Sequence, residues 1–146
     1  MIVRRYTPAD HPEWLRMRLA LWPEAGTETQ DAEMTAWLAR SDAIVLVAPR
    51  TGNTGLVGFA EVGTRSAADG CETSPVAYLE GWYVDADMRR QGIGAALVHA
   101  AEAWARERGL REFASDAELE NTESQRAHVA LGFREVERSV LYLKTL

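Results

Sequence analysis

A single cysteine, Cys71, stands in the 146 residues, so no intrachain disulfide framework exists and a reducing compartment is the natural setting. Cysteine-pair metal sites go with it. Neither His-Glu-x-x-His nor a Gly-x-Ser-x-Gly elbow occurs, so zinc and serine-hydrolase chemistry have no support and no metal is expected. Long apolar runs are also missing. The stretch Met1 to Tyr6 has no signal-peptide h-region and nothing approaches bilayer-spanning length, so a cytoplasmic protein without a membrane partner is expected. Positive charge is in the minority, 16 Lys and Arg against 22 Asp and Glu for a formal net charge of -6. That balance argues against a nucleic-acid partner and suits a cationic one. No internal repeat, low-complexity segment or linker is present, so residues 1–146 read as one domain, long enough to bury a substantial core.

What is present is a succession of strand and helix signals. Residues 2–6 read as a first strand, and His11 to Trp22 as a helix stopped by Pro23, with Trp14, Leu15, Met17, Leu19 and Leu21 among its apolar residues. A second helix, about Gln30 to Arg40, carries Met34, Trp37 and Leu38. Strands at Ala43 to Ala48 and Leu56 to Val62 flank a strong turn signal at 49–55 and should form a hairpin. Residues 64–75 read as a surface loop. Val76 to Val84 is apolar, β-branched and aromatic without helical period, the pattern of a strand buried on both faces.

A turn of charge and glycine follows at Asp85 to Gly94, then a helix with Ile93, Leu97, Ala100, Ala101 and Trp104 on its apolar side, closing at Gly109. Arg111 to Ser115 is a short strand ending at Asp116. A right-handed crossover sets it parallel to 76–84. A helix at Asn121 to Leu131 and two short strands, Arg134 to Arg138 and Ser139 to Lys144, complete the chain. The fold class is therefore α/β, a mixed sheet, antiparallel at first and parallel at its centre, with helices on both faces.

The strand, glycine turn and helix build an anion site. Gly92 and Gly94 allow close approach to backbone, the first N–H groups of the helix lack intrahelical partners, and Arg89 and Arg90 add charge. Two common phosphate motifs are excluded. Position 97 is Leu where a dinucleotide fingerprint needs Gly or Ala, and no Gly-Lys-Ser or Gly-Lys-Thr occurs. Glu80 is the second feature, because a carboxylate inside a buried strand costs several kcal/mol unless it meets a cation, hydrogen-bond donors or a cavity.

Arg89-x-x-Gly92-x-Gly94 after a buried strand, with Asn121 and then Leu131-Gly132-Phe133, resembles the GCN5-related N-acetyltransferase (GNAT) superfamily over essentially the whole chain. Within it, Leu21-Trp22-Pro23, residues 69–76, Leu79-Glu80-Gly81, Ala114-Ser115-Asp116, Glu120-Asn121-Thr122, residues 130–133 and Glu137-Arg138 are similar to the aminoglycoside 6'-N-acetyltransferases. The resemblance implies a single-domain acetyltransferase fold with a splayed parallel strand pair. It implies acetyl-CoA bound by the main chain of Trp82 and Val84, by Arg89, Arg90, Gln91, Gly92, Gly94 and Ala95, and by Asn121. Trp22, Glu80, Asp116 and Glu137 are the implied acceptor site, with Glu80 or Asp116 as base. Many members place a Tyr acid seven residues after the position of Asn121. Here that residue is His128, with Tyr142 or water as alternatives. The implied reaction is direct acetyl transfer in a ternary complex to an aminoglycoside amine, the 6'-amine by resemblance, with antibiotic resistance as its consequence. A homodimer with shared C-terminal strands is also implied. Polyamines, other small amines or protein N-termini as acceptors, and a non-catalytic acyl-CoA-binding module, are the competing readings.

Overall fold

The structure, a computed structural model, describes residues 2–52 and 55–146. Asn53 and Thr54 of the expected 49–55 turn lie outside the described residues. Five strands form one sheet in chain order: β1 (Arg4–Arg5), β2 (Ile44–Pro49), β3 (Leu56–Arg65), β4 (Val76–Val84) and β5 (Phe113–Ser115). Neighbours are antiparallel except β4 and β5, which run parallel as the crossover requires. The helices are α1 (His11–Leu21), α2 (Thr27–Leu38), α3 (Ile93–Glu107) and α4 (Thr122–Ala130).

Two cores cover the two faces of the sheet. The apolar stripe of α3, Ile93, Leu97, Val98, Ala101 and Trp104, meets Leu46, Val57, Ala60, Val62, Ala77 and Leu79. On the opposite face Trp14 and Met17 of α1 and Met34 of α2 meet Val45, Val47, Leu56 and Phe59. Trp14, Met17, Met34 and Phe59 have no exposed surface, and a side chain of this size contributes about 1.5–3 kcal/mol by burial. At Gly58 a Cβ would meet the Tyr83 carbonyl oxygen at 2.7 Å, so glycine is what lets β3 lie this close to β4.

Several boundaries differ from the sequence reading. The first strand shortens to Arg4–Arg5, and β5 to Phe113–Ser115. Helix α2 begins at Thr27 because Gly26 accepts from the Gln30 N–H, and its first turn carries no apolar residue to betray it. β3 runs on to Arg65, paired residue by residue with β4 down to Arg65 opposite Val76. The surface loop is shorter accordingly. The two strands expected after Phe133 are absent: residues 134–146 carry no regular secondary structure, and Leu141, Tyr142 and Leu143 are 92, 93 and 95% exposed. Their apolar content reads as strand, but a strand requires a neighbouring edge, and this tail does not return to β5.

Candidate active site

Two irregularities in β4 make the site. Glu61 pairs with Gly81 and Val62 with Leu79, so Glu80 has no partner on β3 and forms a β-bulge, which twists the strand and re-aims its side chain. Parallel pairing with β5 covers only Ala77 to Leu79, opposite Phe113 to Ser115. Beyond Leu79 the parallel ladder stops because β5 ends at Ser115, so the second half of β4 has an open edge, a gap in the sheet, on that side.

On one side of that gap lies the glycine turn. Asp85, 6% exposed, anchors it: its N–H donates to Val57, and its carboxylate takes both terminal nitrogens of Arg16, each at 3.0 Å, and Nη2 of Arg50 at 3.1 Å. Burial alone would raise the Asp85 carboxyl, but the hydrogen bond and charge of Arg16 outweigh it and hold the group below the usual range. Arg90 (φ 64) and Gly92 (φ 84) both have left-handed backbone. The first α-helical bond of α3 runs from the Ala96 N–H to the Gly92 carbonyl, so the N–H groups of Ile93, Gly94 and Ala95 are free to face an anion. Arg89, Arg90, Gln91 and Gly92 are exposed around them.

The two glycines do different work. Nothing lies within 4 Å of where a Gly92 Cβ would stand, so that glycine serves the backbone turn and leaves room for a ligand. A Gly94 Cβ would meet Trp82 Cζ2 at 3.2 Å, and Trp82 Nε1 donates to the Gly94 carbonyl at 3.1 Å. Gly94 therefore seats an indole. The Val84 carbonyl accepts from Arg89 Nε at 2.9 Å.

At the far wall, Asn121 Oδ1 caps α4 by accepting from the Ser124 N–H at 3.1 Å. Two turns on from that cap, His128 lies edge-on to Trp82 and Phe133, with ring centroids 5.1 Å from each. Its Nδ1 is 2.7 Å from the Ser124 carbonyl oxygen, which only accepts, so Nδ1 carries a proton. In the neutral ring Nε2 then accepts from the Ser115 hydroxyl at 2.7 Å.

The opposite side of the bulge is an aromatic cleft of about 360 Å³ in which the carboxylates of Glu33, Glu61 and Glu80 stand with the guanidiniums of Arg18 and Arg40 beside Trp22 and Trp37. Trp22 lies flat against β4 because residue 81 is glycine; a Cβ there would meet its Cη2 at 2.8 Å. Arg18 covers Trp22, 4.6 Å from the ring centroid, and holds the floor by reaching both Glu61 oxygens at 2.6 Å and Gln30 at 2.8 Å. Trp14 Nε1 donates to Glu61 as well, at 3.0 Å. Burial raises the Glu61 carboxyl against the pull of Arg18. All of these bonds reach Glu61 from donors, an arrangement suited to the ionised form. Glu80 is met by Arg65, with bonds of 2.9 and 2.7 Å. Asp116, exposed at the end of β5, accepts from the Tyr78 hydroxyl at 2.6 Å. Burial and that bond raise the Tyr78 phenol well above its ordinary value, so it stays a donor.

This chain can be set beside known proteins on that geometry. The sequence profile of the acetyltransferase (GNAT) family matches residues 11–133. An aminoglycoside N(6')-acetyltransferase type 1 of Klebsiella aerogenes is 43% identical, over 99% of this chain and 97% of the relative. Its counterpart in Serratia marcescens is 46% identical over 91% of each chain. The chain belongs to the GNAT acetyltransferases, in their aminoglycoside 6'-N-acetyltransferase branch. Among solved structures of that branch, the apo 6'-N-acetyltransferase AAC(6')-IG of Acinetobacter haemolyticus superposes with a TM-score of 0.91 at 35% identity, covering 100% of this chain and 99% of its own. AAC(6')-Iy, solved with the bisubstrate analogue CoA-S-monomethyl-acetylneamine, does so with a TM-score of 0.91 at 34% identity, covering 99% and 98%.

Of the residues expected of a GNAT site, Trp82, Val84, residues 89–95 and His128 gather around the strand gap, and Trp22, Glu80 and Asp116 around the bulge. Glu137 does not join them; it is exposed on the extended tail. Sequence reasoning missed Arg65, hidden in what read as loop, and Tyr78, taken for ordinary strand. It missed the Arg18–Glu61 floor too, although Glu61 posed the same question as Glu80, a carboxylate in an apolar strand.

Proposed function

We infer that this protein transfers the acetyl group of acetyl-CoA directly to a primary amine of aminoglycoside antibiotics, the 6'-amine, and thereby confers resistance to them. The observation that carries the reading is the edge of β4 left open beyond Leu79, with a free helix N-terminus on one side and the carboxylates of Glu80 and Asp116 on the other. It acts as one N-acetyltransferase domain over residues 1–146, in the cytoplasm.

The cofactor contributes an activated acetyl thioester. The N–H groups of residues 93–95 with Arg89, Arg90 and Gln91 hold its pyrophosphate, and open space at Gly92 fits that approach. The main chain of Trp82 and Val84, on the edge of β4 that faces away from β3, holds the pantetheine arm once Arg89 releases the Val84 carbonyl, with Asn121 beside it. Trp22, Glu80 and Asp116 take the cationic acceptor. An alkyl ammonium with a pKa near ~10 costs about 4–5 kcal/mol to deprotonate at neutral pH. Glu80 or Asp116, directly or through water, accepts that proton, and positioning of the small neutral fraction supplies much of the rest. His128, packed against Trp82 with Nε2 2.7 Å from the Ser115 hydroxyl, is the side chain placed to return a proton to the departing thiolate.

Two copies associate through the apolar tail, since Val140 to Leu143 expose large side chains and the outer edge of β5 has no strand beside it among the described residues. Glu137, carried on that tail, reaches an acceptor site only in such an assembly.

The decisive experiment follows CoA release with purified protein on a panel of kanamycin, tobramycin, spermidine and peptides with free N-termini. Turnover with the aminoglycosides above all others is expected, with the product acetylated on the 6'-amine by NMR. Preferential turnover of spermidine or peptides would refute the substrate, and tight CoA binding without turnover would refute the enzyme.

A further inference from the structure

The acceptor carboxylate is already occupied by a cation from the protein itself. Arg65 ends β3, and its guanidinium forms a two-bond fork with Glu80, Nε to Oε2 at 2.9 Å and Nη2 to Oε1 at 2.7 Å. The same guanidinium lies 3.5 Å from the Tyr78 ring centroid, flat on an aromatic face whose hydroxyl is bound to Asp116. One protein cation thus holds the carboxylate and the aromatic face that an acceptor ammonium needs, next to a tyrosine whose hydroxyl serves the second carboxylate. Both Glu80 oxygens are engaged, so acceptor and Arg65 cannot both bind them fully. Arg65 is also free to leave: its side chain is 44% exposed, against 23% for Glu80, and it borders the 66–75 loop and not the core.

We propose that Arg65 is a resident competitor for the acceptor's ammonium, displaced from Glu80 when substrate binds, and that it sets which amines can enter. The proposal rests on the reading of Glu80 as the acceptor carboxylate. A guanidinium held by two bonds and an aromatic face is removed by a ligand with several ammonium groups, which gains contacts elsewhere in the cleft. A ligand with one ammonium has no such surplus. Arg65 therefore acts as a charge-count filter in favour of polycations.

The test compares Arg65→Ala, Arg65→Gln and Glu80→Gln with the natural protein, using tobramycin and the monoamine 6-amino-6-deoxyglucose as acceptors. Removal of Arg65 should lower KM for tobramycin roughly fivefold, the scale of one partly exposed ion pair plus a cation–π contact, with kcat changed by less than about twofold. The fall in KM should be of similar size for the monoamine, which starts from weaker binding and becomes a measurable acceptor only without Arg65. Tobramycin titrated calorimetrically into the CoA-saturated protein should bind correspondingly tighter, and unchanged CoA affinity certifies the fold. If KM rises or kcat falls in both Arg65 variants, Arg65 aligns Glu80 and does not compete with substrate, and the proposal is overturned. An unchanged KM overturns it equally. Glu80→Gln separates the two levels: weakened acceptor binding there with no gain in the Arg65 variants refutes the filter alone, whereas natural binding and turnover refute the acceptor site and the filter with it.

Discussion

Glu80 and Asp116 occupy different settings. Glu80 sits at a bulge, half-buried and ion-paired, while Asp116 is exposed at a strand end and tied to a tyrosine that cannot give up its proton at physiological pH. In each, substitution to the amide preserves shape while removing charge. Glu80→Gln and Asp116→Asn should each lower kcat/KM for kanamycin at least about tenfold, equivalent to ~1.4 kcal/mol. Steady-state kinetics on purified variants check this, and natural turnover in both would remove the carboxylates from the chemistry.

The strand–turn–helix element sets a different dependence. Gly92 adopts φ 84 at the N-cap of α3 with open space where a side chain would stand. An L-residue held there costs about 1 kcal/mol or more of backbone strain. In Gly92→Ala the turn relaxes and the N–H groups of residues 93–95 lose their common aim. The KM for acetyl-CoA should rise about fivefold, the equivalent of ~1 kcal/mol, while the KM for the aminoglycoside stays put. An equal effect on both would mean that the turn serves the fold and not the cofactor.

Across the fold as a unit, acid stability follows from the clamped carboxylates. The carboxyls of Asp10, Glu13 and Asp85 all lie below their ordinary values, Asp10 through Arg4, Glu13 through Arg16, and Asp85 because Arg16 overcomes the effect of burial. A depressed carboxyl gives stability that is complete above its unfolded pKa, about 4, and is lost as the pH falls through the folded value. Glu61, raised by burial, works in the opposite sense and is outnumbered. Urea unfolding should therefore show little loss from this source above about pH 5 and a steep loss below about pH 4. Asp85→Asn should cost about 2–3 kcal/mol at pH 7 and flatten the acid limb, since a charged hydrogen-bonded pair has gone. Assembly is checked separately. Sedimentation should report a dimer, and Leu141→Ser with Leu143→Ser should shift it to monomer.

How far the sequence carried the reading depends on how local each signal is. Val76 to Val84 emerged as β4 residue for residue because a buried strand is a continuous apolar run bounded by turn residues, and the Arg89 to Gly94 turn was visible because left-handed backbone and free N–H groups select glycine locally. The partners were not visible. Arg16 meets Asp85 across 69 positions and Arg18 meets Glu61 across 43, and no local pattern links them. Arg65 hid in a polar stretch because Gly63, Thr64 and Arg65 extend β3 through pairing with Val76 to Tyr78, not through their own propensity. The tail failed in the converse way: its composition is strand-like, but it does not return to the free edge of β5. Periodicity and turn chemistry are written residue by residue, so fold class, the glycine turn before α3 and the anomaly of Glu80 were readable in order along the chain. Which cation meets Glu80 depends on register across two strands and a bulge, and only folding brings those atoms together.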